Sequence, residues 1–274
     1  MSVKTILKSY QSLDPRIKLI FREKNGHICE ASNDALSLAT GEYVALLDHD
    51  DILADNALYW VARELQKKPQ ANLIYSDEDK VNDDGIRSCP HFKPAFNIDL
   101  LLSYNFISHL GVYRREILKQ IGGFRVGFEG SQDHDLALRT VLESSPDQII
   151  HIPRVLYHWR AHSESTASNP DSKDYTTESG HKAVQHFLDE QHRRGGIKAT
   201  ARVKARNRFT CQWHIPEQPP SVELIIPTRD QSEVLNLAVD SIITKTTYTN
   251  YTITIVDNQS VEVETKNLFK KLKR

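Results

Sequence analysis

The segment Tyr43-Val-Ala-Leu-Leu-Asp-His-Asp-Asp51 (YVALLDHDD, residues 43–51) joins a short apolar run to a cluster of acidic residues. An uninterrupted apolar run of five residues is typical of a strand that is buried on both faces of a sheet. The run ends at Asp48, and ligands of open α/β sheets bind at the carboxyl ends of the strands. We therefore expect a central strand with a binding site directly after it.

Asp48 and Asp50 stand two positions apart in this segment. Two carboxylates at this spacing in an irregular loop can bind one hard cation, and Mg²⁺ or Mn²⁺ bound there can also hold a diphosphate. The alternative is a solvated acidic loop without any ligand, because so short a motif often occurs by chance.

Segments with strand and helix patterns alternate along the first 160 residues. Apolar residues at helical spacing predict helices over residues 30–40, 54–65 and 133–143. Short apolar runs predict strands over residues 18–21, 43–47, 72–75 and 148–158. This alternation predicts an α/β fold with a mostly parallel central sheet flanked by helices. The strand at 72–75 is also followed by acidic residues, from Asp77 to Asp79.

Two further segments contain candidate functional residues. Asp133 lies where a helix is expected to begin, so its carboxylate can cap free N–H groups or can act as a general base. The segment Tyr157–His162 contains histidines that can complete the coordination of a metal. Its Arg160 can bind phosphate oxygens through two hydrogen bonds. Each of these histidines can equally serve a structural role.

Composition narrows the class of protein. The 274 residues carry a net charge of -1, so the overall positive charge of a nucleic-acid-binding protein is lacking. No apolar run approaches the roughly 20 residues that cross a bilayer. The three cysteines are widely spaced and odd in number, which argues against a disulfide framework and favours a reducing, cytoplasmic location.

The motifs together resemble glycosyltransferase family 2, the inverting sugar-nucleotide transferases with an A-type glycosyltransferase fold. The resemblance covers about residues 1–167. Within the family, the chain resembles bacterial surface-polysaccharide enzymes of the rhamnosyltransferase type. The segments that carry it are NGHICEASN (25–33), ATGEY (39–43), LLDHDD (46–51), SDEDK (76–80), GGFRVGFEGSQDHDLALR (122–139) and YHWRAHSESTA (157–167).

The resemblance implies roles for individual residues. Asp48 and Asp50 would bind the metal and the diphosphate, Asp133 would be the catalytic base, and His162 would contact metal or phosphate, with His158 as the rival. Gln132 stands where the family commonly has an acid. Weaker candidates for the donor or acceptor pocket are Asp77, Asp79, Gln132, Asp135 and Arg160. Candidates for nucleotide binding are Asn25, Asn33, Asp48, Pro227, Thr228 and Asp257.

The order of segments departs from the family pattern. The family opens with a strand–helix–strand unit that binds the nucleotide base, whereas this chain resembles the part that follows the unit. Residues 222–260 resemble that opening unit instead. We therefore divide the chain into residues 1–167 (main part of a transferase domain), 168–218 (helix and linker) and 219–274 (opening of a second domain). The chain then spans about one period of a tandem two-domain enzyme.

Two arrangements of residues 219–274 follow from this division. The segment is either the start of a second domain or it fills the vacant place in the first, within one chain or by exchange in a dimer. We favour the second arrangement, because the vacancy would otherwise expose an apolar sheet edge.

The expected function is inverting transfer of a sugar from a UDP- or dTDP-type donor to a glycan or lipid-linked glycan in surface-polysaccharide synthesis. The expected cofactor is Mg²⁺ or Mn²⁺. A cytoplasmic location is expected, with peripheral contact at the inner face of the membrane left open. The alternatives are a non-catalytic fragment that binds nucleotide, sugar or a protein partner, a metal-dependent phosphohydrolase, and a simple interaction module.

Overall fold

A computed structural model describes residues 2–160 and 174–273 of the chain. Contacts between residues divide it into two compact units, residues 1–213 and residues 214–274. Each unit is described by itself below.

The first unit contains a six-stranded sheet and seven α-helices among its described residues. The sheet strands are β1 (Tyr43–Ala45), β2 (Ile52–Leu53), β3 (Leu73–Val81), β4 (Arg87–His91), β5 (Gly111–Arg114) and β6 (Ile149–Arg160). The helices are α1 (Val3–Leu13), α2 (His27–Leu38), α3 (Ala57–Lys67), α4 (Ile98–Ser103), α5 (Arg115–Gln120), α6 (Gln132–Leu142) and α7 (Asp174–Arg193). A separate hairpin consists of β7 (Ala199–Ala205) and β8 (Arg208–Trp213).

The strand order of the sheet is β1-β5-β3-β6-β2, with β4 paired to β3. Only the β3–β6 pairing is parallel, and the other four pairings are antiparallel. The α/β fold is confirmed, but the prediction of a mostly parallel sheet is wrong. β3 and β4 are joined by a short turn, which forces them to run in opposite directions, whereas the long helical connection from β3 to β6 permits a parallel pair.

Two local predictions are also wrong. Residues 18–21 form no strand, because no strand of the described chain runs beside them to accept their hydrogen bonds. The strand predicted over 72–75 continues to Val81, so that Asp77 and Asp79 lie inside β3 and are buried rather than in a loop. Burial of these acids is possible because each is paired with a basic side chain on a neighbouring segment.

The main hydrophobic core of the first unit lies between the sheet and helices α4 to α7. Leu73 and Tyr75 of β3 pack with Phe106 and with Leu136 of α6, and all four are fully buried. Phe209 of the hairpin belongs to the same core. The hairpin is thus part of the first unit, whereas the sequence analysis assigned it to a linker.

The second unit contains two parallel strands and two helices, β9 (Val222–Thr228), α8 (Ser232–Lys245), β10 (Tyr251–Asp257) and α9 (Val263–Leu272). The first three elements form the strand–helix–strand arrangement expected from the sequence. Leu235, Val239 and Leu268 form its small core. Whether this unit plays the part of an opening unit for a transferase domain stays a prediction.

Candidate active site

The loop after β1 is held by strand β6. The Tyr157 hydroxyl accepts a hydrogen bond from the backbone N–H of Asp48 (3.2 Å) and donates one to the carboxylate of Asp51 (2.6 Å). Arg160 donates its backbone N–H to Asp51 (2.9 Å) and its Nε to the carbonyl of Asp50 (2.8 Å). The side chains of Asp51 and Arg160 therefore fix the loop. Arg160 lies beside the acidic loop, and its contact with phosphate stays a prediction.

Asp48 points to His109, which the sequence analysis did not single out. A carboxylate oxygen of Asp48 lies 3.4 Å from Nε2 of His109. The hydrogen bond from His109 lowers the pKa of Asp48. Burial acts to lower the pKa of His109, but the hydrogen bond and charge of Asp48 outweigh it, so that the pKa is raised. The imidazole stacks on Tyr157 with 4.6 Å between ring centroids, and its Nδ1 has no partner among the described residues.

Asp133 stands in the first turn of α6, as the sequence predicted. Asn105 donates its side-chain N–H to one carboxylate oxygen of Asp133 at 2.8 Å, which leaves the other oxygen available. Gln132 accepts a hydrogen bond from the backbone N–H of Gly130 at 2.7 Å and so shapes the turn before the helix. Gly130 has φ of 81°, and an added Cβ would lie 2.6 Å from the side chain of Thr176. Glycine is therefore required beside Asp133.

Two cavities meet at Asp133. The first has a volume of about 430 Å³, and its lining includes Asp48, His109, Gln132, Asp133 and Trp159. The second has a volume of about 280 Å³, and Asp133 and Gly130 belong to its lining as well. The remaining residues of the second lining are Tyr104, Asn105, Ser108, Ser131, His134, Arg206, Asn207, Arg208 and Phe209. The Asp133 carboxylate thus stands where molecules bound in the two cavities would meet.

The other acids of the sequence analysis lie in ion pairs away from these cavities. Asp77 pairs with His151 (2.8 Å), and Asp79 pairs with His158 (2.5 Å) and with an arginine of β4. Asp135 is 1% exposed and pairs with two arginines. The structure therefore gives Asp77, Asp79 and Asp135 structural partners, and His158 is held by Asp79 instead of lining the cavity that contains Asp48.

The candidates for nucleotide binding lie in three places. Asn25 accepts the backbone N–H of His27 at the start of α2 (2.9 Å), and Asn33 forms two 2.8 Å hydrogen bonds with the backbone of Phe124. Neither asparagine lines the two cavities. Pro227, Thr228 and Asp257 lie in the second unit, at the carboxyl ends of its two strands. Hydrogen bonds from Ser260 lower the pKa of Asp257.

The predicted metal ligands differ in their surroundings. Asp48 lines the first cavity, Asp50 is exposed beside His49 (3.7 Å), and His162 lies outside the described residues. Within residues 2–160 and 174–273, no group of three or more His, Cys, Asp or Glu side chains could hold a metal ion. Over the same residues, no helix has both the length and the apolarity that a membrane span needs.

The sequence of this chain matches one family model and two much longer relatives. The family model described as glycosyl transferase family 2 matches residues 2–122. The uncharacterized protein y4gI of Sinorhizobium fredii is 43% identical over 96% of this chain and 29% of its own length. The O-antigen biosynthesis protein RfbC of Myxococcus xanthus is 34% identical over 95% of this chain and 20% of its own length. The chain thus spans less than a third of either relative.

Solved structures of similar fold come from S. aureus TarS. Residues 1–349 of that protein superpose with a TM-score of 0.51 at 17% identity, over 69% of this chain and 52% of the other. A second TarS structure, in complex with UDP-GlcNAc, gives a TM-score of 0.50 over 69% of this chain and 60% of the other. At this identity the similarity concerns the fold alone.

Proposed function

We propose that the protein transfers a sugar from a nucleoside diphosphate to a hydroxyl of a glycan, and the match of residues 2–122 to the family model described as glycosyl transferase family 2 supports this proposal. The observation that supports the proposal most directly is the position of Asp133, which lines both cavities. A base in this position can reach the acceptor hydroxyl on one side and face the donor sugar on the other, as group transfer requires.

In the proposed reaction the donor occupies the first cavity and the acceptor occupies the second. The acceptor hydroxyl gives its proton to a carboxylate oxygen of Asp133 while its oxygen forms a bond to the anomeric carbon. The bond from that carbon to the diphosphate breaks, and its electron pair leaves with the nucleoside diphosphate. Attack from the face opposite the leaving group inverts the configuration at the anomeric carbon. Asn105 positions the base through the hydrogen bond to Asp133.

Mg²⁺ is usually bound by one or two carboxylates of the protein together with the phosphates of the substrate. The residues present fit a divalent cation bound in this way. We propose that Asp48 and Asp50 supply the carboxylates and that Mg²⁺ or Mn²⁺ would stabilise the charge of the leaving diphosphate. The metal requirement of this chain and the choice between the two ions are parts of the proposal. The roles of His162 and of His158 at the metal stay predictions.

The proposed pathway is the synthesis of a cell-surface polysaccharide, by analogy with the M. xanthus relative named for O-antigen biosynthesis. We also propose a UDP- or dTDP-type donor and a glycan or lipid-linked glycan acceptor. The proposed location is the cytoplasm, either at the inner face of the membrane or away from it. The predicted role of residues 219–274 in completing a nucleotide site, within one chain or in an exchanged dimer, is part of the proposal.

Calorimetric titration of UDP, dTDP, GDP and CDP, with and without Mn²⁺, tests the donor site. We expect Mn²⁺-dependent binding of one nucleotide and a loss of at least tenfold in affinity in Asp48→Asn. Asp55→Asn, which removes an exposed carboxylate outside both cavities, is the matched control. Absence of nucleotide binding by the folded chain would contradict the proposal and favour a simple interaction module. Release of inorganic phosphate without acceptor would favour a phosphohydrolase.

A further inference from the structure

The second cavity is bordered by a hairpin of strong positive charge. The hairpin, residues 199–213, contains four basic residues and no acidic one. A run of basic residues on a surface is often only solvated. Here, however, two of the four, Arg206 and Arg208, line the cavity that reaches the catalytic base Asp133.

The turn that carries these arginines is fixed to helix α7. The side-chain oxygen of Asn207 accepts hydrogen bonds from the hydroxyls of Thr176 and Thr177, each at 3.1 Å. The backbone N–H of Asn207 donates to the Thr177 hydroxyl at 3.2 Å, and its φ of 50° reverses the chain direction. Arg206 and Arg208 flank this anchored residue, so their backbones are held at the border of the cavity before any ligand binds.

Neither arginine has a counter-charge within the part of the chain that the structure describes. Over residues 2–160 and 174–273, no carboxylate forms an ion pair with Arg206 or Arg208, whereas Arg139 is paired with the buried Asp135. The guanidinium of Arg208 lies 3.9 Å from the ring centroid of Tyr104, which restrains the side chain, and no described residue accepts a hydrogen bond from its guanidinium N–H groups. Two guanidinium groups in this state can bind a carboxylate or a phosphate through paired hydrogen bonds.

The cavity itself favours a single sugar unit with a negative charge. Its volume of about 280 Å³ is near the lower end of small-molecule pockets, roughly 300 Å³. Burial lowers the pKa of His134, so this histidine adds no positive charge near neutral pH. The charged side chains of the lining are therefore Asp133 on the side of the reaction and the two arginines on the side of the hairpin.

We propose that the acceptor is an anionic glycan, whose carboxylate or phosphate binds Arg206 and Arg208 while a neighbouring hydroxyl meets Asp133. The inference rests on the proposed transferase function and names the substrate class for the second cavity. Arg206 and Arg208 are thus specificity-determining residues for the acceptor.

The first experiment measures glycan binding without donor, by ligand-observed NMR. The probes are an oligosaccharide ending in a hexuronic acid, its carboxyl-reduced counterpart, and a phosphate ester of the reduced form. We expect wild-type protein to bind an anionic probe about ten- to a hundredfold more tightly than the neutral one, because hydrogen bonds to charged groups are the strong ones. The tighter of the two anionic probes identifies the source of the charge.

The variants are Arg206→Gln, Arg208→Gln and the double change, and Arg202→Gln on the same hairpin is the control. The double variant should lose the preference for the anionic probe, while its melting temperature and nucleotide binding stay those of the wild type. Equal binding of charged and neutral probes by the wild type, or an undiminished preference in the double variant, would overturn the inference. A third outcome is that the double variant loses binding of the anionic probe while the wild type transfers no sugar from any nucleotide sugar. This outcome would support the anionic-glycan site and contradict the transferase function.

Discussion

Replacement of Asp133 by Asn separates catalysis from stability. Removal of a general base typically costs a factor of 10² to 10⁴ in rate, or about 3–5 kcal/mol of transition-state stabilisation. Asn keeps the shape of Asp and retains an oxygen that can accept the 2.8 Å hydrogen bond from Asn105. The carboxylate also lies in the first turn of α6, so its loss removes a favourable interaction with the helix dipole of about 0.3–1 kcal/mol.

We therefore expect kcat to fall at least a hundredfold while the free energy of unfolding falls by no more than about 1 kcal/mol. Transfer is measured as release of nucleoside diphosphate in the presence of acceptor, and stability by urea denaturation. Nucleotide affinity should change less than threefold. Asp99→Asn removes a first-turn carboxylate from α4, outside both cavities, and controls for the helix-dipole effect. Transfer retained within tenfold of wild type would refute the assignment of Asp133 as the base.

Three further predictions concern the surroundings of the site. Tyr157→Phe leaves a carboxylate oxygen of Asp51 without its donor and should cost about 1–3 kcal/mol in urea denaturation and weaken nucleotide binding; unchanged values would contradict the role of the hydroxyl. Asp135→Asn removes the partner of two arginines and should cost about 3–5 kcal/mol, whereas a loss below 1 kcal/mol would show that the pair is dispensable. Burial raises the pKa of Cys29 to about 12, so its thiol stays protonated and unreactive from pH 7 to 9.5. Iodoacetamide should label the exposed Cys89 and spare Cys29 until the chain unfolds, and mass spectrometry showing equal labelling of the two in the native protein would contradict this.

The sequence predicted the parts of the site that depend on local patterns. The acidic loop after an apolar run led to Asp48, and a helix beginning at an acid led to Asp133, and both line the first cavity. Each signal is contained within a few consecutive residues, which is the range over which strand ends and helix starts can be recognised.

The residues that the sequence analysis missed act over long separations. His109 lies in a segment without hydrophobic periodicity, and its partner Asp48 is 61 residues away. The hairpin with Arg206 falls within the predicted helix and linker of residues 168–218, because its basic residues obscure the pattern of a strand. Asp77 and Asp79 are candidate pocket residues in the sequence, and in the structure each forms an ion pair with basic residues of β4 or β6. A pattern along one chain segment does not reveal such partners.

The attachment of the Asp48 loop to strand β6 has a consequence for folding kinetics. Hydrogen bonds join residues 48–51 to Tyr157 and Arg160, at sequence separations of 106 to 110. Contacts between residues so far apart in sequence form slowly, because the entropy of closing the loop is lost before the contact is gained. After dilution from denaturant, helical circular dichroism should therefore return before nucleotide binding does, and the nascent chain should acquire its donor site only after residue 160 has been synthesised.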